Sequence, residues 1–223
     1  MNDSIFQDRT DAGKQLGNSL ASFKSQSPLV LALPRGGLAI GFEVARILSS
    51  SLDTLVVRKI AAPGYPEFGV GAIAEGGIAV FDRDSLAAMG LKQSDLKDSI
   101  SEETAELERR IIAYRGNRRE TYVRDKVVIV VDDGLATGVT ARAAIESIKL
   151  QNPKKLVLAV PVCSKEAAQI LKYTVDEFIC LHQPEFFSSV GQWYKNFEQL
   201  SDEDVIKIMD RAHREIVPKL NQT

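Results

Sequence analysis

The string Asp132-Asp133-Gly134-Leu135-Ala136-Thr137-Gly138-Val139-Thr140 concentrates residue types that can do chemistry. It directly follows KVVIVV at 126–131, a β-branched run of the kind that forms a central parallel strand buried on both faces. Two adjacent carboxylates at the end of such a strand are costly to ionise, because partial burial and like charge both oppose it unless a cation or a set of donors compensates. The glycine-containing loop that follows runs into a helix. Backbone N–H groups and the positive end of the helix dipole therefore converge on one place, with the Thr137 and Thr140 hydroxyls beside them. That is a phosphate cradle, and acids able to accept from vicinal hydroxyls next to it suit a ribose 5-phosphate. The plainer reading is a capped helix beside a solvated aspartate pair.

A second loop has similar chemistry. Pro34-Arg35-Gly36-Gly37 follows the apolar strand 29–33; glycine lets backbone approach an anion closely, and a guanidinium binds phosphate bidentately. A tight turn with an exposed arginine would look the same. Arg58 and Lys59 close a further apolar strand, and alternation sends their side chains to opposite faces, so one of them, Lys59 by preference, would reach an anion. Past the last strand lie His182, Phe186, Phe187, Trp193 and Tyr194; a ring there could stack on a base, although aromatic residues more often fill a core. His213 reads as a surface residue of the final helix.

The elements that must position these residues read as follows. An amphipathic helix spans 4–24, then come strand 29–33 and a helix over LAIGFEVARILSS. Residues 53–60 read as one strand, 61–69 as loop because of two Pro and two Gly, and 70–81 as a hairpin turning at Gly76-Gly77. The charged stretch 83–120 reads as a helical arm, with one long surface helix following a capping-box-like Ser101 region. Helix 139–150, then strand, helix and strand, and a tail helix over 200–219 complete the chain. Alternating strands and helices predict an α/β fold with a doubly wound, mostly parallel sheet that binds ligands at the strands' carboxyl ends. A single domain over 1–223 is expected.

Composition narrows the function. Twenty-eight basic against thirty acidic residues leave a net charge of -2, so nothing draws the chain globally to nucleic acid or to an anionic membrane. No run is apolar enough to span a bilayer and the first residues lack a secretory core, which predicts a cytoplasmic protein. Cys163 and Cys180 lack zinc spacing and read as reduced core residues. Gly69-Val70-Gly71-Ala72-Ile73-Ala74 matches the dinucleotide pattern G-x-G-x-x-A, but prolines precede it instead of a strand and Gly76-Gly77 interrupts the helix that should follow.

Val127 to Thr140 resembles the fingerprint of the type I phosphoribosyltransferases: a hydrophobic strand, two acids, a short linker and Thr-Gly-x-Thr. The resemblance implies a Mg²⁺-dependent enzyme moving the phosphoribosyl group of phosphoribosyl pyrophosphate to a nitrogenous small-molecule acceptor, for which a nucleobase is one candidate, with no nucleic-acid or membrane partner. It gives Asp132 and Asp133 the ribose hydroxyls and, mainly through water, the Mg²⁺. It gives Ala136, Thr137, Gly138, Val139 and Thr140 the 5-phosphate. Arg35, Gly36, Gly37, Arg58 and Lys59 go to the pyrophosphate, with Lys59 counted as catalytic beside the acids. Residues 182–200 stand where relatives build an acceptor hood, which makes Trp193 and Phe187 candidate acceptor contacts. The stretch through Glu75, another candidate acceptor residue, with Arg115 and GQWY at 191–194, is similar to a branch of stand-alone members. The arm 83–120 occupies the place of the family's mobile loop, and a homodimer is implied. The rival reading is a non-catalytic regulator that binds phosphoribosyl pyrophosphate or a nucleotide.

Overall fold

The computed structural model describes residues 5–116 and 122–216. In chain order they form α1 (Arg9–Ser19), β1 (Leu29–Ala32), α2 (Gly36–Leu48), β2 (Ser51–Thr54), β3 (Val57–Ala62), β4 (Tyr65–Ala74), β5 (Ile78–Phe81), α3 (Arg83–Ala88), α4 (Lys97–Arg115), β6 (Val127–Val131), α5 (Val139–Lys149), β7 (Lys155–Val162), α6 (Lys165–Leu171), β8 (Glu177–His182) and α7 (Asp202–Glu215). Five strands make an all-parallel sheet in the order β2-β1-β6-β7-β8.

Strand alternation shows why this sheet needs helices on both faces. Val30, Ala32, Ile129, Val131, Val157 and Ala159 join a core with Leu16, Leu38, Val44 and Met209, from α1, α2 and α7. Their sequence neighbours Leu29, Leu31, Val128, Val130, Leu156 and Leu158 join a second core with Ala141, Ala144 and Ile145 of α5. Runs such as VVIVV are apolar throughout because each face meets a different helix layer. The α/β expectation of a doubly wound, mostly parallel sheet holds.

Several expected elements differ. The run 53–60 is not one strand: β2 ends at Thr54, and β3 starts at Val57 in a separate antiparallel sheet ordered β3-β4-β5. Leu55 and Val56 form the corner, and both are buried, so hydrophobicity continues while the pairing partners change. Residues 61–69 are not loop either. β3 and β4 close a hairpin through Gly64, at φ +78, with register shifts that let Pro66 sit where the ladder is interrupted. The turn at Gly76-Gly77, both at positive φ, is as expected.

The arm is two helices instead of one. Asp82 caps α3, Gly90 at φ +64 stops it, and α4 begins at Lys97, which leaves Ser101 inside a helix and not at its cap. The last four residues of the expected arm lie outside the described residues, as do residue 4 and positions 217–219 of the other two helices that were expected. The first helix is shorter than the 4–24 expectation, running as α1 and then a 3-10 turn over Ala21–Gln26.

Cys163 is buried and Cys180 half-buried; both are free thiols, with sulfurs 3.0 Å apart. No helix among the described residues is long and apolar enough to cross a membrane.

Candidate functional site

The sheet's chain order reverses between β1 and β6: from β1 the chain moves outward to β2, and from β6 it moves the other way through β7 to β8. Loops leaving the carboxyl ends of two such strands part and leave a crevice between them. Here those loops are 33–37 and 132–138. Leu33 N–H donates to Val131 O at 2.9 Å and Leu135 N–H to Val162 O at 3.0 Å, so the loops grow directly out of the ladder.

The two loops are in contact. A Cβ added to Gly36 would lie 1.9 Å from Asp133 Oδ2, and one added to Gly37 would lie 2.9 Å from the Asp132 Cα. Only glycine allows the backbone after β1 to rest against the acid pair. The Asp133 N–H donates to Asp132 Oδ1 at 2.8 Å. Burial, and then the neighbouring charge of Asp133, pushes the Asp132 carboxyl well above the usual range. Burial also raises Asp133, opposed by Arg9.

Beyond the acids, Gly138 at φ +73 turns the chain into α5, and no side chain caps that helix. Its first amides are therefore available to an anion. Ala136 and Thr137 are exposed, while the Ser164 hydroxyl donates to Ala136 O at 2.6 Å and fixes the base of the loop to the end of β7.

Arg9, in the first turn of α1, was not singled out from the sequence. Gly13 and Gly17 on the same helix let it pack closely on α2, where an added Cβ would meet Ile40 O at 3.0 Å and Ile47 Cδ1 at 2.7 Å. That docking delivers the guanidinium: Nε donates to Asp133 Oδ2 at 2.8 Å, Nη1 donates to Glu198 O at 2.7 Å, and its carbon lies 3.8 Å above the Phe197 ring. The Tyr194 hydroxyl donates to Asp133 O at 2.5 Å. Contacts separated by 124 and 189 positions leave no local sequence signal.

The other expected residues fall into four groups. Arg35 borders the crevice: with Arg9, Gly36, Asp133, Phe197, Gln199 and Leu200 it lines a cavity of about 470 Å³, its Nη1 3.7 Å from Asp202 Oδ1. Arg58 and Lys59 line a different cavity, of about 380 Å³, with Pro63, Gly64 and Glu102, and Arg58 Nε donates to Glu103 Oε2 at 2.7 Å. They start the second sheet and do not end a strand of the first, and the cavity they line has neither Asp132 nor Asp133 in its wall. Glu75, expected as an acceptor residue, lies at the corner between the two sheets. Its buried carboxylate accepts from Val56 N–H at 2.7 Å and Arg115 Nη1 at 2.6 Å, and Arg115 further reaches Asp53 and Thr54 O. That cluster clamps the corner between the two sheets.

Trp193 is buried, with Phe187 packed on it at 6.1 Å between ring centroids, so both rings pack the segment after β8 and Trp193 offers no open stacking face. The main chain of this segment pairs with the N-terminal residues: Phe6 N–H donates to Trp193 O at 3.0 Å and Lys195 N–H to Phe6 O at 2.9 Å.

The fold and crevice are those of a doubly wound α/β protein with an acid pair and an uncapped helix start at its switch point. Comparison with known proteins carries this further. The phosphoribosyl transferase domain profile matches residues 8–194, and the chain belongs to that family. It is 40% identical over 211 residues, 95% of its length, to two Mycobacterium tuberculosis proteins named as candidate phosphoribosyl transferases, and spans 48% of the length of each, about half. The solved structure of TT1426 from Thermus thermophilus is 40% identical with a TM-score of 0.77, covering 92% of this chain and 97% of that one. A hypothetical Neisseria gonorrhoeae protein with bound ppGpp shares the fold at 12% identity and a TM-score of 0.52, over 95% of this chain and 98% of the other.

Proposed function

We propose that the protein is a phosphoribosyltransferase that binds phosphoribosyl pyrophosphate at the β1/β6 crevice and passes its phosphoribosyl group to a nitrogenous small molecule. The observation that carries this reading is one juxtaposition. The uncapped start of α5, the acid pair and the Gly36-Gly37 backbone all follow the carboxyl ends of the paired strands β1 and β6, where the chain order reverses.

The 5-phosphate lies on the amides and hydroxyls of residues 136–140, where helix dipole and N–H groups favour an anion. The ribose diol donates to the carboxylates. Pyrophosphate lies along Gly36 and Gly37, with Arg35 able to hold it bidentately. As the C1–oxygen bond breaks, the pyrophosphate leaves with the electron pair and the ring gains positive charge. The carboxylates favour that charge, Arg35 and the loop amides favour the leaving anion, and the acceptor nitrogen forms the new bond from the opposite face. No covalent enzyme intermediate is required.

The donor set fits Mg²⁺. Two half-buried carboxylates lie side by side, Arg9 pairs with one of them, and among the described residues Asp132 has no cation within ion-pairing distance. Asp132 and Asp133 would hold the ion through water, and the ion would screen the charge of the pyrophosphate. A cytoplasmic homodimer completes the proposal.

The test is pyrophosphate release from phosphoribosyl pyrophosphate and Mg²⁺ with a panel of nucleobases and other nitrogen compounds. Turnover with at least one acceptor, abolished in Asp132→Asn/Asp133→Asn with the fold intact, is the expected result. Tight ligand binding without turnover on any acceptor would make the protein a sensor, and no binding at all would overturn the site.

A further inference from the structure

The two acids are adjacent in sequence, yet the structure treats them differently. Asp133 is held on three sides. Arg9 Nε donates to its Oδ2 at 2.8 Å, the Gly36 backbone lies where a Cβ would be 1.9 Å from that oxygen, and the Tyr194 hydroxyl donates to its main-chain oxygen. The Arg9 side chain is itself 11% exposed, stacked on Phe197 and bonded to Glu198 O. Among the described residues the Asp132 carboxyl meets only Asp133, whose N–H donates to its Oδ1 and whose carboxyl lies against it, and it has no ion-pair partner.

We infer that Arg9 is a positioning residue that assigns the acids different tasks: it fixes Asp133 in place between the Gly36 loop and the 194–198 strap, leaving Asp132 as the acid able to adjust to the ligand. This rests on the ribose-phosphate reading of the crevice and deepens it. A guanidinium suits the task because it can bind a carboxylate, a carbonyl and an aromatic face at once, which an ammonium cannot. The arrangement also links the strap to the ligand site. The cation that orients Asp133 is the same one that anchors Phe197 and Glu198.

Two measurements test it. The first is calorimetric binding of phosphoribosyl pyrophosphate with Mg²⁺ to the full chain and to Arg9→Gln, Arg9→Lys, Asp133→Asn, Asp132→Asn and the Arg9→Gln/Asp133→Asn double variant. Loss of an outer partner that orients a ligand-binding carboxylate weakens binding by about 10- to 100-fold. Arg9→Gln should show this loss, and Arg9→Lys should recover part of it. The double variant should bind no more weakly than the worse single one, because both changes break one interaction. Asp132→Asn should lose more than Asp133→Asn.

An Arg9→Gln affinity within twofold of the parent, multiplying losses in the double variant, or equal losses from the two aspartates would each overturn the assignment. The second measurement is hydrogen exchange of the ligand-free protein. In Arg9→Gln the Lys195 and Asn196 amides should exchange faster while β6 amides keep their rates; unchanged strap amides refute the link. If the parent protein fails to bind phosphoribosyl pyrophosphate, the proposed function falls, and the exchange result still decides the role of Arg9.

Discussion

Gly36→Ala tests the junction between the two loops. The new methyl carbon would lie 1.9 Å from Asp133 Oδ2, 2.6 Å from its Cγ and 2.9 Å from Arg9 Nε. Ordinary contact begins near 3.4 Å, so the carboxylate must withdraw by about 1.5 Å or the loop must lift by as much. A withdrawal of that size breaks the 2.8 Å bond to Arg9. Losing a charge-assisted bond of this kind costs about 1.5–3 kcal/mol, and relieving the clash by moving backbone costs about 1–3 kcal/mol. Whichever path is cheaper, we expect a loss of about 2 kcal/mol, which lowers Tm by about 4–8 °C in a chain of this size. Calorimetric unfolding and binding of phosphoribosyl pyrophosphate should both respond. Gly90→Ala is the control: nothing lies within 4 Å of its added carbon, so the φ of +64 alone should cost about 1–2 kcal/mol and ligand affinity should not change. If Gly36→Ala unfolds within a degree of the parent and binds equally well, the loop does not rest on Asp133 and the crevice described above is wrong.

Two further outcomes follow from the charge clusters. Arg115→Met should destabilise by about 3–5 kcal/mol, because it leaves Glu75 and Asp53 as uncompensated buried carboxylates; adding Glu75→Gln should recover a good part, and urea unfolding reads both. At the junction of α4 and α7, hydrogen bonds from Arg109 and Arg110 hold Glu106 down to about 2, and the Tyr114 hydroxyl lowers Asp202. A depressed carboxylate contributes stability that is complete above its unfolded value, near 4.5 for Glu106, and is lost as pH falls toward 2. Hydrogen exchange in α7 should therefore accelerate below about pH 4.5. The step should be small, since the Arg109 side chain is 55% exposed.

The legible part of the site was local. KVVIVV, the acid pair and the glycine loop are contiguous, and each follows from strand burial or helix-start chemistry within fourteen positions. PRGG could be placed because it too abuts an apolar strand. Arg58 and Lys59 were expected at the end of one continuous strand and start the second sheet instead for a physical reason: Leu55 and Val56 are buried against different cores, so DTLVVRKI reads as one apolar strand although the chain changes sheets within it. The prolines of 61–69 suggested loop, and the irregular register of the β3–β4 hairpin accommodates them. Glu75 could not be assigned because its partners Val56, Asp53 and Arg115 converge only after the two sheets meet.

The pairing of residues 5–7 with 193–196 has a consequence for the order of events in folding. Closing a loop of nearly the whole described chain carries the largest entropic cost of any contact here, whereas β1, β6 and α5 need shorter closures. A nascent molecule should thus assemble its parallel sheet first and hold Asp133 without its counter-ion until both ends are zipped together. Pulse-labelled exchange during refolding should protect Val128–Val130 before Lys195; simultaneous protection would show that the crevice and the sheet mature as one unit.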